Sequence, residues 1–521
     1  MNKSMLVVAG LMAVFVGQGG PPRMVGPFES GGKVVSANPV DALVLARLRD
    51  KGIEPAAPCS DEVFIRRVYL DVIGTLPEPQ AVRDFLGDSR PAKRAVLIDT
   101  LLEREEFADY WALKWCDLLR VKAEFPINLW PNAVQAYHRW IRDAVRTNKP
   151  YDQFVRELLT SSGSNFRVAP VNFYRAIQGR EPSDLAEAVA LTFMGARMQT
   201  WPEDRRSGMA AFFSRVAYKK TDEWKEEIVC LDPKPAEPVE AVFPDGVEVR
   251  ILPGEDPRQV FADWLIAGDN SWFARNIVNR IWSWLLGRGI IHEPDDIRPD
   301  NPPVNPELLA YLEKEFVSAD YDLRHIYRLI LNSDTYQQSS VPRSDHPDAE
   351  ASFAYYPVRR LDAEVLIDAL CWIGGPGENY VSPIPEPFTY VPAYQRSIAL
   401  ADGSTTSSFL EMFGRPARDT GLESERTNQP TDAQRLYLLN STDVQQRVER
   451  SQRLYKTILD AEGDRRALIR LTYLTLLSRN PTEAESAAAE KYFQTDGLSY
   501  KQAEEDLAWA LINTKEFLYR H

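Results

Sequence analysis
Tyr110-Trp111-Ala112-Leu113-Lys114-Trp115-Cys116-Asp117-Leu118-Leu119-Arg120 closes a longer stretch, Arg94 to Val121, in which Leu101, Ala108, Trp111, Trp115, Leu118 and Leu119 recur at helical spacing. The spacing predicts one long amphipathic helix. The same pattern extends on both sides. Pro39 to Leu48 reads as a helix stopped by Gly52, and Asp61 to Ile73 as a second stopped by Gly74. Pro77-Glu78-Pro79 opens a third carrying Val82, Phe85 and Leu86. Helices are also expected at Ala133 to Arg146, Tyr151 to Leu159 and Leu185 to Met194.

Between Glu227 and Asp256 the pattern changes. Prolines cluster, and Val247, Val249 and Ile251 alternate after the turn signal Asp245-Gly246, which predicts a small β-hairpin and a boundary. Helical periodicity resumes at Pro257 and runs through Phe273 and Leu285 to Gly287. Further helices are expected at Pro306 to Phe316, Leu323 to Asn332, Leu361 to Trp372, Asp432 to Leu459, Arg465 to Leu477, Glu483 to Phe493 and Tyr500 to Phe517. Thr482 with Glu485, and Ser499 with Gln502, have capping-box spacing. The proline-rich stretch Gly374 to Ser408 reads as loop with a few short strands. The fold class expected is mainly α: a multi-helical two-part array with a small β-hairpin insertion and irregular proline-rich loops. The divisions are 1–20 as a signal peptide, 21–37 as linker, 38–226 and 257–521 as helical domains, and 227–256 as the hairpin linker.

The chain has 521 residues, too many for one simple core, so two or more packed parts are expected. Its net charge of −14, with 75 acids against 61 bases, argues against a nucleic-acid partner, because phosphate recognition concentrates Lys and Arg. Met1 to Met5 followed by the apolar run Leu6 to Val16 has the layout of a secretory signal, too short to anchor in a bilayer. Export to the periplasm or cell surface is the expectation, with no transmembrane helix in the mature chain.

Cys59, Cys116, Cys230 and Cys371 lie far apart, without C-x-x-C spacing, and read as free buried thiols. Zinc-ribbon and covalent haem sites lack their ligands. No metal site is expected: the acid cluster His292 to Asn301 has oxygen ligands but not the spacing of a calcium loop. His138 and His325 sit on helical patterns and read as packed or surface side chains. No nucleophile elbow, P-loop, dinucleotide fingerprint or zinc-protease motif occurs.

The most charged, least periodic stretch is Gly414 to Thr431. Arg415, Arg418, Asp419, Arg426, Asn428 and Gln429 are its candidate substrate-binding residues, since forked guanidinium groups bind anions. Glu423 and Glu425 are its candidate catalytic acid and base. The structural alternative is an ion-paired loop with Thr431 or Asp432 capping the next helix. On a helix, positions 423 and 425 would diverge; an extended backbone would point both the same way. Of the twelve tryptophans, Trp130, Trp201 and Trp224 fall in less periodic surroundings where exposure, and stacking on a glycan, is open to them.

Val40 to Leu48, Ile65 to Pro77, Tyr110 to Arg120 and Val171 to Tyr174 resemble segments of domain of unknown function 1549, the planctomycete cytochrome c-associated domain. Phe273 to Trp282, Leu286 to Ile290, Pro294 to Arg298, Leu331 to Ser340 and Arg359 to Glu364 resemble domain of unknown function 1553. The resemblance implies an exported protein of a family without an assigned reaction. Its members often carry a cytochrome c module ahead of the first domain and a C-x-x-C-H haem motif inside it. Here the signal-like segment runs almost directly into the first domain. After Gly195-Ala196-Arg197-Met198-Gln199, where the family places the haem motif, stand Thr200-Trp201-Pro202-Glu203-Asp204-Arg205-Arg206-Ser207-Gly208. Haem c attachment needs two thiols and an axial imidazole, so no cofactor is expected and covalent haem c is not. The function expected is a haem-free, partner-binding or scaffold component of a cell-envelope complex, with an exported or envelope protein as partner. The alternative is an enzyme acting on a polar or carbohydrate substrate, its site built around Arg415 to Gln429.

Overall fold
The computed structural model describes residues 26–31, 38–233 and 237–521. The expected signal segment, and most of the linker after it, lie outside the described residues. The rest is mainly α-helical, with only small antiparallel sheets of two or three strands.

Several helices follow the sequence pattern closely. Pro39–Asp50 starts on Asn38, whose side chain accepts the Val40 N–H, and Asp61–Val72 starts on Ser60 in the same way. Arg465–Leu477 has the expected bounds, and both expected capping boxes, at Thr482 and Ser499, are formed. Three long helices expected from periodicity are interrupted by local chemistry. Arg94 to Val121 becomes Lys93–Leu102 and Glu105–Leu118, because Arg104 takes an extended backbone (φ −76°, ψ 150°) and Glu105 and Glu106 open a new first turn. Asp432 to Leu459 becomes Asp432–Asn440, Thr442–Glu449 and Gln452–Asp460, with Ser441 and Ser451 as N-caps. The final expected helix breaks at Thr514, the cap of Lys515–Leu518. Apolar periodicity survives each break, which is why it reads as continuous; the Ser441, Ser451 and Thr514 side chains cap the new helices, while the Arg104 break has no side-chain cap.

The expected hairpin exists, Val239–Val242 paired with Glu248–Ile251. A second sheet accompanies it and begins earlier than the expected boundary: Glu227–Leu231 lies between Val216–Lys220 and the two-residue strand Gly163–Ser164. The stretch between the Ala363–Gly374 and Ser408–Met412 helices is loop, with the bridge between Val381 and Thr406 and a turn of 3-10 helix at Ser397–Ala399.

The two parts do not have separate cores. One contiguous cluster of buried apolar side chains runs from Val40 to Phe517. Glu105–Leu118 lies deep within it, every residue from Tyr110 to Leu118 being buried. The chain end returns to the middle, where Tyr519–Arg520 pairs antiparallel with Arg359–Arg360. Cys59, Cys116, Cys230 and Cys371 are all free, and burial pushes the thiols of Cys116 and Cys371 up to about 12. Among the described residues no helix is long and apolar enough to cross a membrane.

Candidate functional site
A helical stretch buried all round, such as Tyr110 to Leu118, must either exclude charge or satisfy it internally. This one presents Tyr110, Lys114 and Asp117, about one turn apart, to the second half of the chain. Lys114 Nζ and the Tyr110 hydroxyl both donate to Asp362 Oδ2, at 3.0 and 2.9 Å. Asp117 accepts Arg418 Nε at 2.9 Å on one oxygen, and Arg426 Nη2 and Nε at 2.6 and 3.2 Å on the other. Arg426 then forks onto both oxygens of Glu364, at 2.6 and 3.1 Å. Asn428 Nδ2 donates to Asp362 Oδ1 at 2.7 Å.

The seam continues to the end of the chain. Arg520 Nη2 donates to the Tyr110 hydroxyl at 2.8 Å, while its Nε lies 2.8 Å from Asp71. Asp71 also accepts the hydroxyls of Tyr336 and Tyr356, at 2.9 and 2.8 Å. Side chains from residues 71 to 520 therefore meet in one buried ionic layer. Asp117 and Asp362 stay charged despite burial, which by itself would raise them. Arg426 and Arg418 hold Asp117 below the usual range, and Lys114, Arg520 and Arg426 hold Asp362 well below it. Burial, with Arg426 beside it, lowers Lys114.

Each residue singled out in Gly414 to Thr431 has a definite place. Arg415 donates to the carbonyls of Thr405 and Asp402, and its Nε lies 3.7 Å from Glu364. Arg418, whose side chain is 0% exposed, spans Asp117 and the Ala401 carbonyl. Asp419 pairs with Lys122 at 2.6 Å. Gln429 is exposed. Glu423 and Glu425 stand on a single 3-10 turn, Glu423–Glu425, and serve different partners. Glu425 Oε1 caps the N–H groups of Asp419 and Thr420, whereas Glu423 Oε1 accepts the Trp284 indole N–H at 2.9 Å. They do not converge on one reacting centre. Thr431 caps the next helix in a capping box with Gln434.

Glu423 has a neighbour that the sequence pattern did not pair with it. Its backbone N–H donates to Asp295 Oδ2 at 2.6 Å, and Asp295 lies 2.6 Å from Arg280, both fully buried. Arg280 reaches 3.7 Å from the Glu423 carboxylate. Glu423 is 23% exposed at its side chain, and burial, with Asp295 adding to it against Arg280 and Lys114, raises its carboxyl. Arg280, Asp295, Lys114, Asp117, Asp362 and Glu364 were absent from the sequence-derived set. For Lys114, Asp117, Arg280 and Glu364 a usable signal existed: charges set inside apolar helical stretches have to be paired somewhere.

Two other candidate regions are also placed. In His292 to Asn301 the outer acids Asp296 and Asp300 pair with Arg298. Among the described residues no group of three or more His, Cys, Asp or Glu side chains is arranged to hold a metal ion. The Thr200 to Gly208 stretch offers neither thiol nor imidazole to a porphyrin and does not fit one; Arg205 instead stacks over Trp201 at 4.1 Å.

Trp130 and Trp224 come together. Their rings meet edge to face at 4.7 Å, and Phe388 joins both, at 5.5 and 5.4 Å. Trp224 is 59% exposed, and the segment carrying Phe388 also exposes Tyr390 and Tyr394. Lys225 lies 4.8 Å from the Trp130 ring. Trp130 has φ +73° and ψ 147°, and Asn128 and Lys225 also have positive φ. A bulky residue held in that region costs on the order of 1–3 kcal/mol and persists only where its surroundings impose it. Three separate loops thus form one aromatic surface, two of them with residues at positive φ.

Two family models match the chain. One, described as a protein of unknown function, DUF1549, covers residues 39–203; the other, described as a protein of unknown function, DUF1553, covers residues 257–493. No curated protein and no solved structure matches.

Proposed function
Because the chain belongs to the proteins that combine DUF1549 with DUF1553, we propose that it works as an exported, haem-free, partner-binding component of a cell-envelope assembly. The observation that carries this reading is the fate of the charges in Gly414 to Thr431. Arg415, Arg418, Arg426 and Asn428 spend their donors on Asp117, Asp362, Glu364 and backbone carbonyls, so the segment acts as a clasp between the halves. A clasped, rigid body then presents the Trp130, Trp224 and Phe388 surface, whose rings come from both halves. Aromatic groups held with little conformational freedom are the commonest anchors of protein interfaces.

The test is a photo-crosslinking residue at position 224 in the exported protein. The expected result is one discrete adduct with an envelope protein, lost when Phe388 is changed to Ala. A monodisperse monomer giving no adduct in intact envelopes would overturn the reading.

A second reading, an enzyme acting on a polar or carbohydrate substrate, has Glu423 in its favour. A partly exposed acid with a raised pKa, beside Arg280 and Asp295, has the attributes of a general acid. Glycan hydrolysis by the purified protein, abolished in Glu423→Gln with unchanged thermal stability, would establish it in place of the first.

A further inference from the structure
Near the end of the chain, the helices Thr442–Glu449, Gln452–Asp460 and Tyr500–Ile512 surround a cavity of about 220 Å³. Leu454, Tyr455 and Ile458 form an apolar wall, and Glu504 faces it from Tyr500–Ile512. Glu504 is 1% exposed. One of its oxygens takes the hydroxyls of Thr457 and, at 3.4 Å, Thr472; the other has no hydrogen-bond partner among the described residues. No Arg, Lys or His forms an ion pair with it among the described residues.

The charged and titratable groups around Glu504 can be named element by element. Glu505 and Lys501, on its own helix, pair with each other at 3.2 Å. Glu449 and Arg450 line the cavity at the end of Thr442–Glu449, and Tyr455 comes from Gln452–Asp460. Tyr500 lies within electrostatic reach of Glu504, and of Asp464 and Arg465 at the start of Arg465–Leu477, whose Thr472 donates to Glu504. The acid is thus hydrogen-bonded but lacks a counter-charge, next to empty space with an apolar side. Buried carboxylates are ordinarily compensated by a cation; Arg450 and Lys501 also line this cavity, but Lys501 is paired with Glu505 and neither forms an ion pair with Glu504.

We propose that this cavity binds a small organic ammonium ion, the cation resting on the Glu504 carboxylate and its short apolar body against Leu454, Tyr455 and Ile458. The inference stands apart from the envelope-partner reading and neither needs nor tests it. Burial pushes the Glu504 carboxyl up to about 7, so an ammonium ion competes with a proton for the same oxygen. Binding of an amine that stays protonated across the range must then tighten as pH rises.

The experiment is titration calorimetry of the full chain with butylammonium chloride. Affinity should be about tenfold greater at pH 8 than at pH 6, because the ionised fraction of a group titrating near 7 changes by about that factor. Glu504→Gln should abolish the heat, and Glu483→Gln, at an exposed position outside the cavity lining, should leave it unchanged. Glu504→Gln conserves shape and can keep both threonine bonds, and circular dichroism melting checks that it folds. No binding at millimolar amine, pH-independent binding, or equal binding by folded Glu504→Gln would each overturn the proposal.

Discussion

Asp117→Ala is the sharpest perturbation of the buried seam. It removes three charge-assisted hydrogen bonds, one from Arg418 and two from Arg426. Arg426 keeps its forked contact with Glu364, but Arg418 is left with only the carbonyls of Ala401 and Val121. Stranding a buried guanidinium in this way costs about 3–5 kcal/mol, a third or more of the roughly 5–15 kcal/mol that stabilises a typical domain. Because the seam joins the two halves, the loss should also reduce cooperativity. Urea unfolding followed by tryptophan fluorescence and by circular dichroism should then give separated transitions, and limited proteolysis should cut between residues 227 and 256. The double variant Asp117→Leu, Arg418→Met should recover part of the loss, since replacing both members of a buried pair by apolar groups removes the stranded charge. The sign with pH follows from the direction of the shifts. Asp117 and Asp362 have folded pKa values below their unfolded ones, so their stabilisation is present above about pH 4 and is lost as pH falls through the folded values. A loss below about 1 kcal/mol for Asp117→Ala, with a single unchanged transition, would refute the clasp.

Four further outcomes are expected. Glu504, raised from 4.5 to about 7, favours the folded state below pH 4.5 and loses that advantage as pH rises to 7, so Glu504→Gln should gain about 3 kcal/mol over wild type at pH 8 and almost nothing at pH 4 in parallel urea titrations. Gly414 has φ +83°, and a Cβ there would stand 2.0 Å from the Thr427 carbonyl oxygen, so Gly414→Ala should lower stability by about 2 kcal/mol or more; Gly246→Ala, also at positive φ but in open space, should cost only about 1 kcal/mol. Phe388→Ala should leave the melting temperature within about 2 °C, because the residue is 45% exposed, while removing the crosslink formed from position 224. Purified protein assayed by pyridine haemochrome should contain no covalent haem; a stoichiometric signal would require anchors other than the C-x-x-C-H motif.

How far the sequence reaches depends on the range of the interaction concerned. Helix type, most boundaries and the caps at Thr482 and Ser499 follow from contacts within a few residues of each other, and these are written in local order. So was the hairpin after Asp245-Gly246, whose turn chemistry is local. The breaks at Arg104, Ser441 and Ser451 are local as well, but continuous apolar periodicity masks them; the serine caps mark two, and the extended Arg104 ahead of an acidic first turn marks the other. The charged segment Gly414 to Thr431 stood out by composition. Its partners did not, because Asp117 lies about 300 positions earlier and nothing in the local pattern of either region states the other.

Tertiary structure alone decided which charges meet: Asp117 with Arg418 and Arg426, Glu423 with Asp295 and Arg280, Asp71 with the returning Arg520. It likewise gathered Trp130, Trp224 and Phe388 from three loops, and set Glu504 beside a cavity with no ion-pair partner among the described residues. Secondary structure is a short-range property of the chain. Pairing a buried charge is a long-range one, fixed only when the whole core has closed around it.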